Sequence, residues 1–170
     1  MPPPEADLPV VVRPAQAADA AAIDEMLHEA SRWVDALGTV MWEAGELAPG
    51  RVAAEVAAGQ FFVAEYEGEI VGAVRFQTED GLFWPDIAQE ASMFVHRLVV
   101  RRSHAGRGVS TALLAWAAEQ TQRLGRVYLR LDCDSHRLKL RALYERFGFT
   151  LHSFRQVGPY HVARYEYRVR

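Results

Sequence analysis

The chain lacks most of the features that mark secreted, membrane or metal-clustered proteins. Cys133 is the only cysteine among 170 residues, so neither an internal disulfide nor a cysteine-rich zinc site can form. No apolar run approaches the roughly 18 residues that a membrane span needs. The N-terminal segment has neither a basic flank nor an apolar stretch, so we expect no secretory signal and a location in the cytoplasm.

Lysine is almost absent as well, since the sequence has one lysine, Lys139, and 18 arginines. This bias is typical of GC-rich bacterial genomes. Charge is also unevenly distributed. Residues 1–92 hold 17 acidic and 4 basic side chains, whereas residues 93–170 hold 5 acidic and 15 basic ones. The net charge of −3 therefore hides a basic C-terminal half, which favours a polyanionic partner there. Drift of surface charge without functional meaning is the alternative.

Composition and length predict one globular domain. Half of the residues are apolar and 24% are charged, as in ordinary globular proteins. Three prolines follow Met1, so we predict a disordered tail over residues 1–8 and a single domain over residues 9–170.

Hydrophobic periodicity predicts a mixed succession of helices and strands. The order combines hairpins with a strand–helix–strand crossover, which predicts an α/β protein with a mixed sheet. The segment 79–92 is predicted to be a loop long enough to have a role. The predicted helices cover residues 17–37, 49–58, a part of 106–124, and the region around 140–147. The predicted strands cover 10–13, 61–66, 70–76, 92–100, 127–131, 150–156 and 161–169.

A glycine-rich loop between a predicted strand and a predicted helix carries the clearest chemical signal. Gly106 and Gly108 allow a tight turn with no Cβ to block a ligand. The first N–H groups of the helix then form an anion site, surrounded by several basic side chains. The pattern is neither a Walker loop nor the dinucleotide fingerprint. An ordinary strand-to-helix turn is the alternative.

This loop resembles motif A of the GNAT N-acetyltransferase superfamily, whose pattern is Gln/Arg-x-x-Gly-x-Gly/Ala. Downstream, the segment 140–149 resembles motif B, with Tyr144 on its helix and a closing Gly-Phe pair. The order of elements over residues 10–169 also matches the family. Three positions depart from the pattern, namely Ala105, Ser110 and Arg137.

The resemblance implies a GNAT-like acyl-CoA N-acyltransferase fold. Its central sheet is mixed and mostly antiparallel, with a β-α-β crossover at the cofactor loop. It also implies acetyl-CoA as cosubstrate and no metal. The pantetheine arm would pair with the strand edge at Leu98, Val99 and Val100. The other implied cofactor-binding residues are Arg101, Ala105, Gly106, Arg107, Gly108, Val109, Ser110, Thr111 and Arg137.

Two residues match catalytic positions of the family. Tyr144 corresponds to the tyrosine that protonates the departing CoA thiolate, and a core tyrosine is its structural alternative. His96 lies on the strand where family members place a base, and an imidazole accepts a proton near neutral pH. Alternatively, His96 is a partly buried strand histidine whose hydrogen bonds are made within the protein. Water or a carboxylate would then act as the base.

The acceptor residues follow from where the family places its substrate cleft. Aromatic faces and carboxylates suit an amine, while simple packing of the tryptophans in the core is the alternative. The predicted substrate-binding residues are Trp33, Trp42, Glu43, Phe83 and Trp84. Cys133 is predicted to be a buried thiol, with a metal ligand or nucleophile as the alternative.

Together these observations predict a bacterial, cytoplasmic enzyme that transfers acetyl from acetyl-CoA to a primary amine of a small molecule, by direct attack in a ternary complex. No nucleic acid and no membrane is expected as partner, and a homodimer stays open. The alternatives are acetylation of a protein or peptide amine, a longer acyl group, and a CoA-binding regulatory module without catalysis.

Overall fold

The computed structural model describes residues 7–37 and 44–170. The described α-helices are Ala20–Asp35 (α1), Arg51–Ala57 (α2), Val109–Arg123 (α3) and Leu138–Phe147 (α4). The described strands are Val11–Pro14 (β1), Phe61–Tyr66 (β2), Glu69–Gln77 (β3), Ser92–Val100 (β4), Tyr128–Asp134 (β5), Thr150–Val157 (β6) and Tyr160–Arg168 (β7).

The strands form one seven-stranded sheet in the order β1-β2-β3-β4-β5-β7-β6. The pairs β1–β2, β2–β3, β5–β7 and β6–β7 are antiparallel, and β4 pairs with β5 in parallel. The parallel pair is connected through α3, which is the predicted crossover. The prediction of a mixed, mostly antiparallel sheet is confirmed.

Most elements lie where the periodicity predicts them, with small shifts at their ends. The first predicted helix begins with a 3-10 turn at Ala17–Asp19, and α1 itself ends at Asp35. The predicted hairpin turn forms at Glu67 and Gly68, both with positive φ. Two adjoining residues with positive φ match the right-handed twist of the flanking strands.

The chain divides into two compact units. The first contains the residues up to Arg75 together with Arg97–Leu114, and the second contains Phe76–His96 and Ala115–Arg170. In the first unit, Ile23, Met26 and Leu27 of α1 are fully buried. Their spacing places them on one face of the helix, where each side chain contributes roughly 1.5–3 kcal/mol on burial. The remaining members of this cluster are Val52, Val56, Phe61, Val63, Ala73 and Val99.

Helix α3 approaches strand β3 closely within the first unit, and Gly72 makes this possible. A Cβ on Gly72 would lie 2.8 Å from Val109 Cγ1 and 3.2 Å from Val99 O. Since real Cβ atoms do not approach other atoms so closely, any side chain there would push the start of α3 off the strand. The position of the helix N-terminus therefore depends on this glycine.

In the second unit, α4 ends sharply at Gly148, as predicted. Gly148 has a φ of 121°, and Phe149 N–H donates to Tyr144 O at 3.0 Å. This bond closes the last turn of the helix and fixes the direction of the chain into β6. It also ties the backbone of Tyr144 to the segment that follows the helix.

Candidate functional site

The glycine loop of the first unit connects β4 to α3. It starts at Arg101 and passes through a 3-10 turn at Arg102–His104. Gly106 and Gly108 have φ values of 74° and 79°, in the left-handed region that favours glycine. Helix α3 begins directly afterwards, at Val109. Its first backbone N–H groups have no acceptor within the helix, so the geometry supports the predicted anion site.

The start of the described chain packs onto this loop. Leu8 is only 6% exposed, and its N–H donates to Arg107 O at 3.0 Å. A Cβ on Gly108 would lie 2.6 Å from Asp7 Cγ. The tail predicted for residues 1–8 therefore does not extend to Leu8, because this apolar side chain finds a buried position. Residues 1–6 lie outside the described residues.

Two arginines of the loop contact the acidic face of α1. Arg101 Nη1 donates to Glu25 Oε1 at 3.2 Å, and Arg102 N–H donates to Glu29 Oε1 at 2.8 Å. The Arg102 guanidinium also lies 4.0 Å from the ring centroid of Trp33, a cation–π distance. The indole of Trp33, predicted to bind the acceptor, is thus partly covered by an arginine, although 41% of the residue remains exposed.

The other predicted cofactor residues of this unit divide by exposure. Val99 and Val109 are buried in the core, so only their backbone groups are available to a ligand. The remaining residues are partly or fully exposed, and they are Leu98, Val100, Ala105, Gly106, Arg107, Gly108, Ser110 and Thr111. A site that uses backbone donors tolerates the side-chain departures at positions 105 and 110.

Arg97, which directly precedes Leu98 in β4, has a strained backbone. Its φ is 51°, which costs a residue with a side chain of order 1–3 kcal/mol. Burial lowers the pKa of Arg97, while the charge of Glu55 opposes that shift. Strain of this kind persists only where the surrounding structure holds the residue in place.

His96 of the second unit is held by a buried carboxylate. Its Nε2 lies 2.9 Å from Asp80 Oδ2. The other oxygen of Asp80 accepts the N–H groups of Leu82 at 3.1 Å and Phe83 at 2.9 Å, which closes a turn at the start of the 79–92 loop. Burial alone would raise the pKa of Asp80, but the hydrogen bond from His96 and these N–H groups lower it overall.

The contact with Asp80 determines how His96 can act. A carboxylate at hydrogen-bonding distance from Nε2 favours the tautomer that carries its proton there. The lone pair of a neutral imidazole is then on Nδ1, so Nδ1 is the nitrogen able to accept a proton. The side chain of His96 is about one-fifth exposed.

Asp132 of β5 lies beside this pair. Each of the three side chains offers one oxygen or nitrogen atom to a cluster in which all three atoms lie within 4.8 Å of one another. The residues are Asp80, His96 and Asp132. Burial raises the pKa of Asp132 to about 6, with the charges of His96 and Arg164 opposing and that of Asp80 adding to the shift. The two carboxylates and the imidazole thus form one compact cluster of ionisable groups.

Trp84, predicted to bind the acceptor, is a core residue in the structure. It is 0% exposed, and the guanidinium carbons of Arg164 and Arg130 lie 4.6 and 5.3 Å from its ring. Arg164 binds Asp86 through two hydrogen bonds of 2.7 and 3.0 Å. The indole thus anchors the 79–92 loop and has no surface for a substrate, which supports the core alternative.

The other predicted acceptor residues fall into two groups. Phe83 is half-buried, and its ring centroid lies 6.2 Å from that of His96 and 6.5 Å from that of Tyr160. The structure therefore brings the rings of Phe83 and His96 close together. Trp42 and Glu43 lie outside the described residues.

Tyr144 points its ring into the aromatic core of the second unit. It is 5% exposed and packs against Phe149 and Tyr165. Burial raises the pKa of Tyr144, so the phenol keeps its proton at neutral pH. The charge of Arg137 lowers this pKa, whereas those of Cys133 and Asp132 raise it further. Arg137 itself precedes α4 and donates its N–H to Asp134 O at 3.1 Å.

Cys133 is buried, and this burial raises the pKa of its thiol to about 12. A thiol with such a pKa is not ionised near neutrality and is a poor nucleophile. The structure therefore supports the interpretation of Cys133 as a buried, inert side chain.

Comparisons with known proteins agree with this geometry. The family described as acetyltransferase (GNAT) family matches residues 22–149. The chain belongs to the GNAT acetyltransferase family. An uncharacterized N-acetyltransferase of Bacillus subtilis, YesJ, is 28% identical over 144 residues, which cover 80% of this chain and 79% of the relative. The resemblance in motifs A and B is thereby confirmed at the level of the family.

Solved structures show the same GNAT fold. A GNAT-family acetyltransferase from Listeria monocytogenes aligns with a TM-score of 0.74 at 22% identity, covering 94% of this chain and 96% of the other. The yncA protein of Salmonella typhimurium, solved with its cofactor acetyl-CoA, aligns with a TM-score of 0.73 at 20% identity, covering 95% and 94%. No helix in the described parts of this GNAT chain is long and apolar enough to cross a membrane.

Sequence reasoning did not identify the carboxylates around His96. Asp80 is followed by Gly81, a pair typical of turns, but nothing in the local pattern links it to a strand 16 residues later. Asp132 alternates with Arg130 and Asp134 in β5, and it lies one residue beyond the strand predicted over 127–131. Charged residues at alternate positions of a central strand are a signal for a buried polar network, and this signal was available.

Proposed function

We propose that the protein transfers the acetyl group of acetyl-CoA to a primary amine of a small molecule, by direct attack in a ternary complex. The observation that carries this proposal is the pairing of His96 with Asp80, which gives the enzyme an oriented base for the proton of an amine. The reaction would take place in the cytoplasm of a bacterium, since the relatives named above are bacterial.

The first unit is assigned the binding of the cofactor. Its glycine loop and the N-terminus of α3 fit a pyrophosphate, because backbone N–H groups bind anions regardless of side chain. The edge of β4 at Leu98–Val100 lies beyond the register that joins β4 to β5, which covers Ser92–Phe94. Bound acetyl-CoA would supply the activated acetyl group. Arg137 is proposed as an additional contact in place of the family's usual asparagine.

The second unit is assigned the proton transfers. His96 accepts the proton of the attacking amine on Nδ1, while Asp80 holds Nε2. Tyr144 carries a proton that its burial retains, and it donates this proton to the departing thiolate. A positioned acid of this kind contributes about 10²–10⁴-fold to a rate.

The acceptor class is proposed from the same unit. Phe83 places an aromatic face next to His96, which suits the chain or ring of a small amine. Trp33, which is 41% exposed, stays a predicted acceptor-binding residue. Trp84 is not part of this proposal because it is fully buried.

The test is release of CoA thiol with a panel of small amines, amino sugars and peptides. Tyr144→Phe should reduce turnover with the preferred amine at least about tenfold, since the acid is lost while the ring remains. Tyr167→Phe is the matched control, because its ring also packs against Phe149 in the same unit. Equal turnover in wild type and Tyr144→Phe would contradict the acid role. Binding of acetyl-CoA without turnover on any amine would favour a regulatory module.

A further inference from the structure

Asp132 is the ionisable residue beside His96 to which no role has yet been given. It comes from β5, whereas His96 comes from β4 and Asp80 from the 79–92 loop, and all three belong to the second unit. Three separate segments thus bring two carboxylates and one imidazole within 4.8 Å. Convergence of this kind is costly, because each buried charge must be compensated.

The two carboxylates are not equivalent. Asp80 Oδ1 accepts the N–H groups of Leu82 and Phe83, and Asp80 Oδ2 lies 2.9 Å from His96 Nε2. Asp132 Oδ2 is buried and has no hydrogen-bond partner among the described residues. A charge that develops on His96 therefore lies close enough to interact with the carboxylate of Asp132.

Arg164 directs its hydrogen bonds elsewhere, although it pairs with Asp132 across β5 and β7. Its guanidinium donates to Asp86, to Phe83 O at 3.0 Å and to Ser153 Oγ at 2.9 Å. The hydrogen bonds of this arginine are thus directed at the 79–92 loop and at β6. Its charge acts on Asp132 only through space.

We propose that Asp132 is a positioning residue for His96, whose carboxylate stabilises the imidazolium that forms when His96 accepts the proton of the acceptor amine. The inference rests on the proposed function of His96 as base. As the new bond between nitrogen and the acetyl carbon forms, the bond from that carbon to the CoA sulfur breaks and Tyr144 protonates the sulfur. One N–H bond of the amine also breaks. Its proton moves to Nδ1 and turns the neutral imidazole into a cation, and the imidazolium later releases that proton to solvent.

The energetic argument follows from charge. An opposite charge within about 4–6 Å stabilises the ionised form of a group and shifts its pKa by about one unit or more. The groups that face Asp132 are His96, Asp80 and Arg164, with Cys133 and Tyr144 nearby. Since burial raises the pKa of Asp132 to about 6, its carboxylate is ionised above that pH. The stabilisation of the imidazolium is then present above about pH 6 and lost below it.

The direct test is an NMR titration of the His96 ring in the full chain, which needs no substrate. Assignment uses His96→Gln. In Asp132→Asn the titration midpoint of His96 should move to lower pH by about one unit, because a negative charge is removed. Asp134→Asn is the matched control, an Asp on the same strand whose Oδ1 accepts His136 N–H at 2.8 Å. An unchanged midpoint in Asp132→Asn would overturn the proposal.

A reciprocal measurement covers the case in which Asp132→Asn fails to fold. The carboxyl carbon of Asp132 is followed in wild type and in His96→Gln, where its titration should move to higher pH because a cation is lost. No movement would contradict the pairing. Stoichiometric binding of Zn²⁺ that broadens the His96 and Asp132 signals would also overturn the proposal, in favour of a metal site.

The pH dependence of kcat/KM then links the pair to catalysis. With the preferred amine, Asp132→Asn should lower kcat/KM at pH 7 by about tenfold, with a smaller loss below pH 6. A profile that changes by one factor at every pH would contradict the role. If no amine is acetylated, the proposed function fails, while the NMR titrations still decide whether Asp132 and His96 interact.

Discussion

The first unit buries a cluster of aliphatic side chains, whereas the second unit buries two arginines and places two carboxylates beside a histidine. In the first unit the Arg101 guanidinium donates to the exposed carboxylate of Glu25 in α1, and the Arg102 backbone N–H donates to Glu29. Exposed pairs of this kind are weak and screened by salt, so a ligand phosphate can replace them. Buried charges keep their interactions and fix geometry. The proposed roles thus assign cofactor binding to the unit with exposed charges and proton transfer to the unit with buried ones.

The largest expected effect comes from the aliphatic cluster. Leu27→Ala removes a fully buried side chain of α1 and should lower the free energy of unfolding by about 3 kcal/mol, through lost burial and a remaining cavity. Urea unfolding measures it. Leu37→Ala, at a residue 66% exposed, is the control and should change little. Equal losses would mean that the α1 face does not carry the stability of this unit.

The next effect comes from the buried arginine of the second unit. Arg164→Met keeps much of the packing on Trp84 but leaves Asp86 without its bidentate partner. The loss should be about 2 kcal/mol, below the usual cost for a buried pair, because the Asp86 side chain is 46% exposed. Thermal and urea unfolding measure this loss of stability and compare it with the loss in Arg123→Met. The surface pair of Arg123 with Glu119 should contribute less than about 1 kcal/mol. Similar values would remove the contrast between the buried and surface charges.

The contribution of Asp132 to the free energy of unfolding depends on pH. Its pKa is raised from 3.8 to about 6, so the folded state holds a proton that the unfolded chain has already released. Stability due to this group is therefore present below about pH 4 and declines as the pH rises through 6. Asp132→Asn should stabilise the fold at pH 8 by about 1–2 kcal/mol, with the gain vanishing near pH 4. A gain of equal size at both pH values would contradict the raised pKa.

The smallest effect concerns the surface charges of the first unit. Glu25→Gln releases the Arg101 guanidinium from its 3.2 Å contact. Acetyl-CoA should then bind about two- to threefold more tightly at low salt, and the gain should disappear at high salt because exposed charges are screened. Calorimetric titration tests this, with Glu119→Gln on α3 as control. A gain that persists at high salt would show that the contact is not a simple surface pair.

The sequence predicts much of the fold because its elements are encoded locally. The spacing of Ile23, Met26 and Leu27 indicates the buried face of α1, and the glycines at 106 and 108 indicate the turn before α3. Motifs A and B identify the family for the same reason, since each is a short continuous pattern in one turn or helix.

The acceptor and base surroundings are less predictable because they depend on contacts between distant residues. Arg164 reaches Asp86 over 78 positions, and this contact turns Trp84 from an expected substrate surface into a core residue. Asp80 and Asp132 meet His96 through three segments, which no local pattern specifies. The Arg102 contact with Trp33 also joins residues that are distant in sequence.

One measurement tests the central claim most directly, namely the amount of acetylated amine formed by wild type and His96→Gln across pH. The account predicts product with wild type near neutrality and a large loss in His96→Gln, which recovers in part at high pH, where the free amine needs no base to deprotonate it. Equal product from both proteins at every pH would contradict the role of His96, and no product from wild type with any amine would contradict the proposed function.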